Sequence, residues 1–547
     1  MHDRRQFLGT ALGAGAALMA PRPARAADSR IEVLPAEPIG TIAPEIYGHF
    51  VEHLGGVVYD GIWVGEGSRI PNVGGVRKEI VDQLRRIRAS VVRWPGGCFA
   101  DQYDWRDGTG PRASRPRRTN FWVDVREWPA GAGNGPQRFE PNQFGTVEFA
   151  RFCRLSGAQP YVAANVRSLS PQDFWRWVEY CNAPAGSTTT ADQRAADGER
   201  EPLGVRFWGV GNESWGCGGN FTPEEYAAAF RRYTAWLPWA GKLALIGAGP
   251  NSGELDWTRR FFAAADGRGR QHLWGWALHH YSWNVSSGRT TNWFEGKGDA
   301  LRFEPEQHYE ILAEADRMES LITEHWKAMG ETDAQHRVKL VVDEWGAWHK
   351  PGTEPFPEAL LGQQNTMRDA VLAGQTLDTF QRHADKVAMA NVAQLVNCLQ
   401  SLFLAHEDRF CVTPTYHVFD LYAAHQGAQA VRAVFSAPRV SYTRNGQPAS
   451  LSGLNGSASL KERRLTLTVT NPSLDTPCEA EVAVRGATVR SGRAAVLAAP
   501  DVHAHNTFAN PGAVAPREEA VTAGGASFVH RFAPASVTRL DLELSGG

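Results

Sequence analysis

The sequence lacks two features that would place it in large classes of proteins. Beyond the first 26 residues it has no run of 18 or more apolar residues, so no segment is predicted to span a membrane. It has no block of like charge, and its 57 basic and 59 acidic residues nearly cancel. Charge therefore gives no reason to expect nucleic acid or an anionic membrane as a partner, and we expect a neutral molecule.

Cysteine is scarce, and its spacing excludes the common cysteine-based metal sites. The seven cysteines form no Cys-x-x-Cys pair and no Cys/His ligand pattern, and their odd number requires at least one free thiol. At the N-terminus, Arg4 and Arg5 precede a weakly apolar run over residues 11–20 and an Ala-Arg-Ala triplet at residues 24–26. This order predicts a twin-arginine signal peptide over residues 1–26 and export to the periplasm or beyond. Because twin-arginine cargo folds before export, we expect free, mostly buried thiols.

Between residues 45 and 426, short apolar runs alternate with helical patterns, which predicts parallel strands joined by crossover helices. Three helix starts carry a hydroxyl residue before a proline, at Ser170, Thr222 and Thr413. Eight apolar runs are present, at 46–54, 90–97, 159–166, 205–213, 243–250, 273–282, 338–345 and 389–400. Eight such units predict a (β/α)₈ TIM barrel with its active site at the carboxyl ends of the strands.

The pattern changes after residue 426. Helical periodicity ends, and short alternating runs such as residues 465–470 are bounded by glycine, proline and asparagine. This change predicts a C-terminal antiparallel β-sandwich over residues 427–547. Residues 27–44 are also β-like, and we expect this N-terminal segment to join the sandwich.

Two glutamates stand at the ends of predicted barrel strands. Glu213 ends the fourth run directly after Asn212, and Glu344 lies near the end of the seventh. Hydrolysis of a glycosidic bond needs two carboxyl groups, one to protonate the leaving oxygen and one to meet the oxocarbenium-like centre. One glutamate at a strand end is a weak signal, because exposed or salt-bridged glutamates are common there. Two of them, on runs four and seven, favour a glycosidase.

Longer strings across the barrel resemble one known family. They begin at Ile46 (IYGHFVEHLG), Arg93 (RWPGGCF), Gly209 (GVGNE), Val342 (VDEWG), Met389 (MAN, continuing to Gln400) and Thr413 (TPTY). With these motifs the chain resembles glycoside hydrolase family 51, the α-L-arabinofuranosidases. The resemblance implies a retaining double displacement in which Glu213 is the acid/base and Glu344 the nucleophile. It also implies a homo-oligomer, often a hexamer.

The resemblance further implies sugar contacts around the furanose ring. Asn212 can donate a hydrogen bond to the 2-hydroxyl, Glu52 can accept from ring hydroxyls, and Tyr281 can donate to the nucleophile and keep it ionised. The full set of implied contacts is Glu52, Arg93, Cys98, Asn212, Tyr281 and Gln400.

Several of these residues have a structural alternative. Arg93 can instead form an ion pair that holds Glu52 or a catalytic glutamate, and Cys98 can be a small buried residue whose backbone shapes the pocket. Trp122 and Trp348 are candidate stacking walls at the pocket mouth, with core packing as the alternative.

The pair His279-His280 does not predict a metal site, because adjacent residues of a strand point to opposite faces. His279 shares the face of Tyr281, so we expect it to line the pocket, with a purely structural histidine as the alternative. We predict no metal and no cofactor.

The predicted enzyme releases terminal α-L-arabinofuranosyl residues from arabinan, arabinoxylan or derived oligosaccharides. Three alternatives stay open: the same chemistry on a β-glucan, xylan or galactofuranoside; a carbohydrate-binding barrel without catalysis; and a metal-dependent hydrolase.

Two departures from the family pattern concern specificity. Residues 125–142 form a longer segment rich in glycine and proline, and Arg167 stands where glycine is usual.

Overall fold

A computed structural model describes residues 29–123, 139–265, 267–283, 285, 296–357 and 359–545. The predicted signal peptide and residues 125–138 of the Gly- and Pro-rich segment lie outside the described residues. Within the described part of the chain, no helix combines the length and the apolar character needed to cross a membrane.

Eight strands close into a barrel in the order in which they occur along the chain, and neighbouring strands run parallel. Each strand overlaps one of the eight apolar runs, so the predicted TIM barrel is confirmed. The strands are β1 (Gly48–Phe50), β2 (Val91–Trp94), β3 (Gln159–Ala164), β4 (Phe207–Val210), β5 (Ala244–Gly247), β6 (Leu273–Ser282), β7 (Lys339–Ala347) and β8 (Val387–Ala393).

The inside of the barrel is filled by a small apolar core that supports the polar residues above it. This core contains Val91, Ala277 and Val341, which are all buried. Two residues further along the same three strands stand Arg93, His279 and Asp343. Because residues i and i+2 of a strand share a face, the apolar layer forms the floor on which these charged side chains lie.

The helices surround the barrel, and two of them begin as the sequence predicts. The hydroxyls of Ser170 and Thr222 accept from the backbone N–H of Asp173 and Glu225. Thr413 makes no such cap, because its hydroxyl donates to the carbonyl of Ser401 instead. The α-helices are Lys78–Arg86, Thr146–Ser156, Pro171–Asn182, Thr189–Ala196, Pro223–Thr234, Leu255–Ala264, Gly267–Arg270, Pro305–Gly330, Met367–Arg382 and Pro414–Tyr422.

The C-terminal part folds into a nine-stranded sheet around its own apolar core. Its strands, in spatial order, are Arg517–Val521, Thr488–Leu497, Ser536–Ser545, Arg464–Asn471, Asn455–Lys461, Gln429–Ser436, Ser29–Thr41, Cys478–Val484 and Ser527–Phe532. The N-terminal strand Ser29–Thr41 therefore lies inside this sheet. It pairs antiparallel with Gln429–Ser436 but parallel with Cys478–Val484, so the sheet is not wholly antiparallel.

Helix Met367–Arg382 joins the barrel to this sheet. Its buried Asp378 accepts hydrogen bonds from the hydroxyls of Tyr422, Ser457 and Thr468. A buried carboxylate with several donors is well compensated, and the contact ties the barrel to the sheet.

Candidate active site

Glu213 and Glu344 face each other at the carboxyl end of the barrel. Glu213 follows β4, and Glu344 lies within β7. A carboxylate oxygen of Glu213 and one of Glu344 lie within 4.8 Å of each other. The Nδ1 atom of His279 is close to both, 3.0 Å from Glu213 Oε1 and 3.4 Å from Glu344 Oε2.

Two side chains donate hydrogen bonds to the Glu344 carboxylate. Nη1 of Arg93 lies 2.7 Å from Oε1, and the hydroxyl of Tyr281 lies 2.8 Å from Oε2. Both contacts fix the orientation of the carboxylate. For Arg93, the structure contains an ion pair with Glu344, which the sequence left as one of two alternatives.

His279 is held between Asp343 and Glu213. Its Nε2 lies 3.0 Å from Asp343 Oδ1, while Nδ1 faces Glu213. Burial alone lowers the pKa of His279, but the charges of Glu344 and Asp343 together raise it well above its usual range. These contacts favour the protonated ring, which can donate from both nitrogens. The neighbouring His280 points the other way, with Nε2 2.8 Å from the carbonyl of Glu314 on an outer helix.

An irregularity in β7 explains how Asp343 and Glu344 both reach the barrel interior. The pairing of β7 with β8 shifts register between Val342 and Trp345, which is a β-bulge or a similar irregularity. A bulge lets neighbouring residues leave the strict alternation of faces. As a result, Asp343 contacts His279 and Tyr161 while Glu344 contacts Arg93.

Asn212 is held on both sides of its amide group. Nη2 of Arg93 donates to its Oδ1 over 2.7 Å, and its Nδ2 donates to Asp101 Oδ2 over 3.3 Å. Asn212 is buried, and it immediately precedes Glu213. Glu213 itself has φ +34°, a backbone region that side-chain-bearing residues rarely adopt and that is often found at active sites.

Comparisons with known proteins identify the family of a chain with this fold and site. A family model described as "Alpha-L-arabinofuranosidase 1 domain" matches residues 83–252, and one described as "Alpha-L-arabinofuranosidase C-terminal domain" matches residues 343–536. An intracellular exo-alpha-L-arabinofuranosidase from Bacteroides ovatus is 34% identical over 479 residues, covering 87% of this chain and 88% of the relative.

Solved structures agree with this match. The GH51 arabinofuranosidase from Xanthomonas axonopodis pv. citri superimposes with a TM-score of 0.85 at 34% identity, covering 94% of this chain and 100% of that one. An arabinofuranosidase from Thermotoga maritima, solved as an arabinose complex, gives 0.79 at 29% identity with the same coverage of both chains.

The chain belongs to glycoside hydrolase family 51. It is an exo-acting α-L-arabinofuranosidase.

The export predicted for this arabinofuranosidase from its N-terminal arginines is wrong. Relatives from Bacteroides ovatus, Acetivibrio thermocellus, Bifidobacterium longum, Streptomyces lividans and Bacillus subtilis are all named intracellular enzymes. An arginine pair before a ten-residue alanine-rich run is a short pattern with little information, whereas the similarity to these relatives extends over hundreds of residues.

The cysteines of the arabinofuranosidase differ from the sequence prediction. Cys98 and Cys217 form a disulfide that links the short helix after β2 to the loop after β4. Their sulfurs lie 3.7 and 3.6 Å from Glu213 Oε2, so the disulfide forms a wall beside this carboxylate. The sequence could not reveal the pairing, because connectivity depends on the fold. The other five thiols are free, and four of them, Cys153, Cys181, Cys398 and Cys411, are buried.

Glu52 lies next to Glu344, and its carboxylate is already hydrogen-bonded. Its Oε1 accepts from the backbone N–H of Gly97 and Phe99, both at 3.0 Å. Its Oε2 accepts from Nε2 of Gln394 at 3.2 Å. Burial, opposed by the hydrogen bond from Phe99, raises the pKa of Glu52 to about 8.

Gln400 is fully buried, and both polar ends of its side chain are bound inside the protein. Its Oε1 accepts from the N–H of Ala347, and its Nε2 donates to the carbonyl of Asp369. The sugar contact expected of Gln400 stays a prediction. Gln394, which the sequence motifs did not single out, contacts Glu52 through its side chain. The two glutamines stand six positions apart in one irregular segment after β8, where neither strand nor helix periodicity indicates direction.

Both tryptophans lie beside residues of the site: a hydrogen bond from Trp122 lowers the pKa of Glu52, and Trp348 contacts Tyr281. Trp348 is partly buried; the edge of Tyr281 meets it at a ring-centre distance of 5.2 Å, and the Lys297 ammonium lies 3.8 Å from its ring centre. Trp122, also partly buried, packs edge-on against the neighbouring Phe121. Arg167 is exposed, and its positive charge acts on Asp101.

Two groups of side chains in the described residues have spacings that a metal ion could use. One is Glu213, His279 and Glu344, and the other is Cys98, Glu213 and Cys217. The second group cannot supply thiolates, because its two cysteines are joined to each other. That the enzyme works without a metal stays a prediction.

Proposed function

We propose that this enzyme releases terminal α-L-arabinofuranosyl residues with retention of configuration, through a covalent intermediate on Glu344. The observation that carries this proposal is the separation of the two carboxylates, whose oxygens come within 4.8 Å. Retaining glycosidases hold their carboxyl groups about 5 to 5.5 Å apart, while inverting enzymes need about 6.5 to 9.5 Å to fit a water molecule. The short separation supports retention.

In the first step, Glu344 attacks the anomeric carbon while the bond to the leaving oxygen breaks. The ion pair with Arg93 and the hydrogen bond from Tyr281 hold the Glu344 carboxylate in a fixed orientation, which supports its role as the nucleophile. Glu213 gives its proton to the leaving oxygen, so the aglycone departs as an alcohol.

In the second step, the now ionised Glu213 takes a proton from water. The water oxygen bonds to the anomeric carbon as the ester bond to Glu344 breaks, and L-arabinose leaves with its original configuration. Glu213 is more exposed than Glu344, with 20% against 7% of the side chain accessible. This exposure suits a residue that must contact both the leaving group and water.

Asn212 and Glu52 are proposed to bind the furanose ring. With Oδ1 of Asn212 bound to Arg93, the amide nitrogen is the atom left to donate to the 2-hydroxyl. Glu52 Oε2 accepts from Gln394, and a carboxylate oxygen has further lone-pair capacity with which it can accept from a sugar hydroxyl.

The proposed substrates are arabinan, arabinoxylan and oligosaccharides derived from them. Relatives from Acetivibrio thermocellus, Bifidobacterium longum and Streptomyces lividans are named exo-α-(1→5)-L-arabinofuranosidases, which favours α-1,5-linked arabino-oligosaccharides among these. A homo-oligomer, as the family resemblance implies, is part of the proposal. The side chain of Trp236 is 92% exposed, and a contact between subunits would bury this apolar surface.

Transfer to methanol tests the mechanism. The enzyme is given an aryl α-L-arabinofuranoside in dilute methanol, and proton NMR follows the methyl glycoside that forms. Retention yields methyl α-L-arabinofuranoside, and the β-anomer would refute the double displacement. Product analysis on arabinan and arabinoxylan oligosaccharides, beside aryl β-glucosides, β-xylosides and galactofuranosides, tests the substrate proposal.

A further inference from the structure

The buried carboxyl group of Asp101 has no role in the mechanism described above, yet it lies directly behind the catalytic pair. Asp101 belongs to the short helix Cys98–Gln102 and is 0% exposed. Its Oδ2 accepts from Nδ2 of Asn212 at 3.3 Å. Its Oδ1 is buried without a hydrogen-bond partner among the described residues. Asn212 is therefore the one side chain there that donates a nitrogen-bound proton to this carboxyl group.

The position of Asp101 relative to Arg93 fixes which way the Asn212 amide points. Arg93 donates to the amide oxygen, and Asp101 accepts from the amide nitrogen. A half-turn of the amide would place its NH₂ against the guanidinium and its oxygen against a carboxyl oxygen. The bond from Arg93 would be replaced by a repulsive contact between two N–H groups, and the N–H bond to Asp101 would be lost, in a site closed to water.

The fixed orientation leaves one amide hydrogen for a ligand. An NH₂ group has two hydrogens, and Asp101 takes one of them. The only other described side-chain atom in reach of this nitrogen is Sγ of Cys217 at 3.7 Å, and a disulfide sulfur is a weak acceptor. A sugar hydroxyl can therefore take the second hydrogen with little competition.

We propose that Asp101 is a positioning residue that orients the Asn212 amide toward the 2-hydroxyl of the bound furanose. This inference rests on the proposed contact between Asn212 and that hydroxyl. The role needs an acceptor oxygen at Asp101 and no particular charge. Burial raises the pKa of Asp101 well above its usual range, and a protonated carboxyl group still accepts through its carbonyl oxygen.

The test compares variants on two substrates, an aryl α-L-arabinofuranoside and its 2-deoxy analogue. The readout is the ratio of kcat/KM for the two, because the intrinsic difference in reactivity is the same for every variant and cancels between them. Asp101→Ala removes the acceptor. Asp101→Asn keeps an acceptor oxygen of the same reach. Asp104→Ala removes a partly exposed carboxylate three residues away that bonds Arg106 instead of Asn212.

We expect Asp101→Ala to lower the ratio about tenfold, the equivalent of one hydrogen bond. Asp101→Asn and Asp104→Ala should stay within about threefold of the wild type, which is less than one such bond. In an Asn212→Ala background, Asp101→Ala should have no further effect on the ratio, because both changes remove the same contact.

Three results would overturn the proposal. Asp101→Ala that lowers activity equally on both substrates would show a merely structural role. Asp101→Asn that behaves like Asp101→Ala would show that charge, not an acceptor, is what matters. Additive effects in the double variant would show that the two residues act separately. If Asp101→Ala does not fold, Asp101→Ser, whose hydroxyl is too short to reach Asn212, gives the same comparison.

The proposed sugar contact fails in a different way. If Asn212→Ala leaves the ratio unchanged, then Asn212 does not bind the 2-hydroxyl and the substrate-binding proposal is wrong. If Asn212→Ala lowers the ratio and Asp101→Ala does not, only the role of Asp101 is refuted.

Discussion

The hydroxyl of Tyr281 donates to Oε2 of Glu344 across 2.8 Å, and burial together with the charge of Glu344 raises the pKa of Tyr281 well above its usual range. The phenol therefore stays protonated, and stays a donor, at every pH at which the enzyme is assayed. Tyr281 therefore orients the Glu344 carboxylate over that whole range.

Tyr281→Phe should therefore lower kcat/KM. Without the donor, the Glu344 carboxylate loses a hydrogen bond that orients it. A hydrogen bond to a charged group contributes about 1.5 to 3 kcal/mol, so kcat/KM should fall by about 10- to 10²-fold. The rate is measured with an aryl arabinofuranoside. Activity equal to that of the wild type would contradict this role.

The disulfide between Cys98 and Cys217 determines how many free thiols the protein should contain. Titration with a thiol reagent in denaturant should find five thiols before reduction and seven after it, since Cys98 and Cys217 are paired and the other five are free. The pair closes a long loop, with 119 residues of separation. A Cys98→Ser/Cys217→Ser variant should lose about 2 to 4 kcal/mol of unfolding free energy. Seven thiols before reduction would exclude the pairing.

The barrel, and the meeting of Glu213 and Glu344 at its carboxyl end, could be predicted because their signals are local. Each strand is a short apolar run, and Glu213 and Glu344 stand at run ends, where a barrel places its active site. The sequence could not show that Asp343 also lies inside the barrel. Strict alternation would send the neighbours Asp343 and Glu344 to opposite faces of the strand. Only the register shift in β7 turns both inward, and a bulge has no marker in this run.

Pairings between distant segments could not be predicted either, because they depend on the fold and leave no local signal in the sequence. The disulfide joins two loops, and the parallel pairing of Ser29–Thr41 with Cys478–Val484 joins segments at opposite ends of the chain. The contact of Gln394 with Glu52 could not be predicted either, because the segment after β8 follows no regular period. Side-chain direction there depends on the turn, not on counting residues.

The backbone at Gly97 leaves no room for a side chain beside Glu344 and Glu52. A Cβ atom at this position would stand 2.9 Å from Oε1 of Glu344 and 3.6 Å from Oε1 of Glu52. Gly97→Ala should displace the nucleophile and lower kcat/KM about 10²-fold, as small displacements of a catalytic group do. Gly67→Ala, whose added Cβ would meet no atom within 4 Å, is the matched control and should keep full activity. Equal activity of the two variants would mean that the pocket is looser than the structure describes.

The division of labour between Glu213 and Glu344 makes a prediction about products. General acid help is worth about 10² to 10⁴ in rate, but only when the leaving group needs a proton. Glu213→Ala should lose that factor on arabino-oligosaccharides and much less on an arabinofuranoside with a good aryl leaving group. Its glycosyl-enzyme should then accumulate, because no base remains to activate water.

Azide distinguishes the two glutamates by stereochemistry. Azide needs no base, so it should restore turnover of Glu213→Ala and give the α-azide, since inversion by Glu344 followed by inversion by azide is net retention. In Glu344→Ala the first inversion is missing, and azide entering the vacated face should give the β-azide directly. The anomers are assigned by proton NMR of the isolated products. The same anomer from both variants, or an equal loss of rate by Glu213→Ala on good and poor leaving groups, would show that these roles are assigned wrongly.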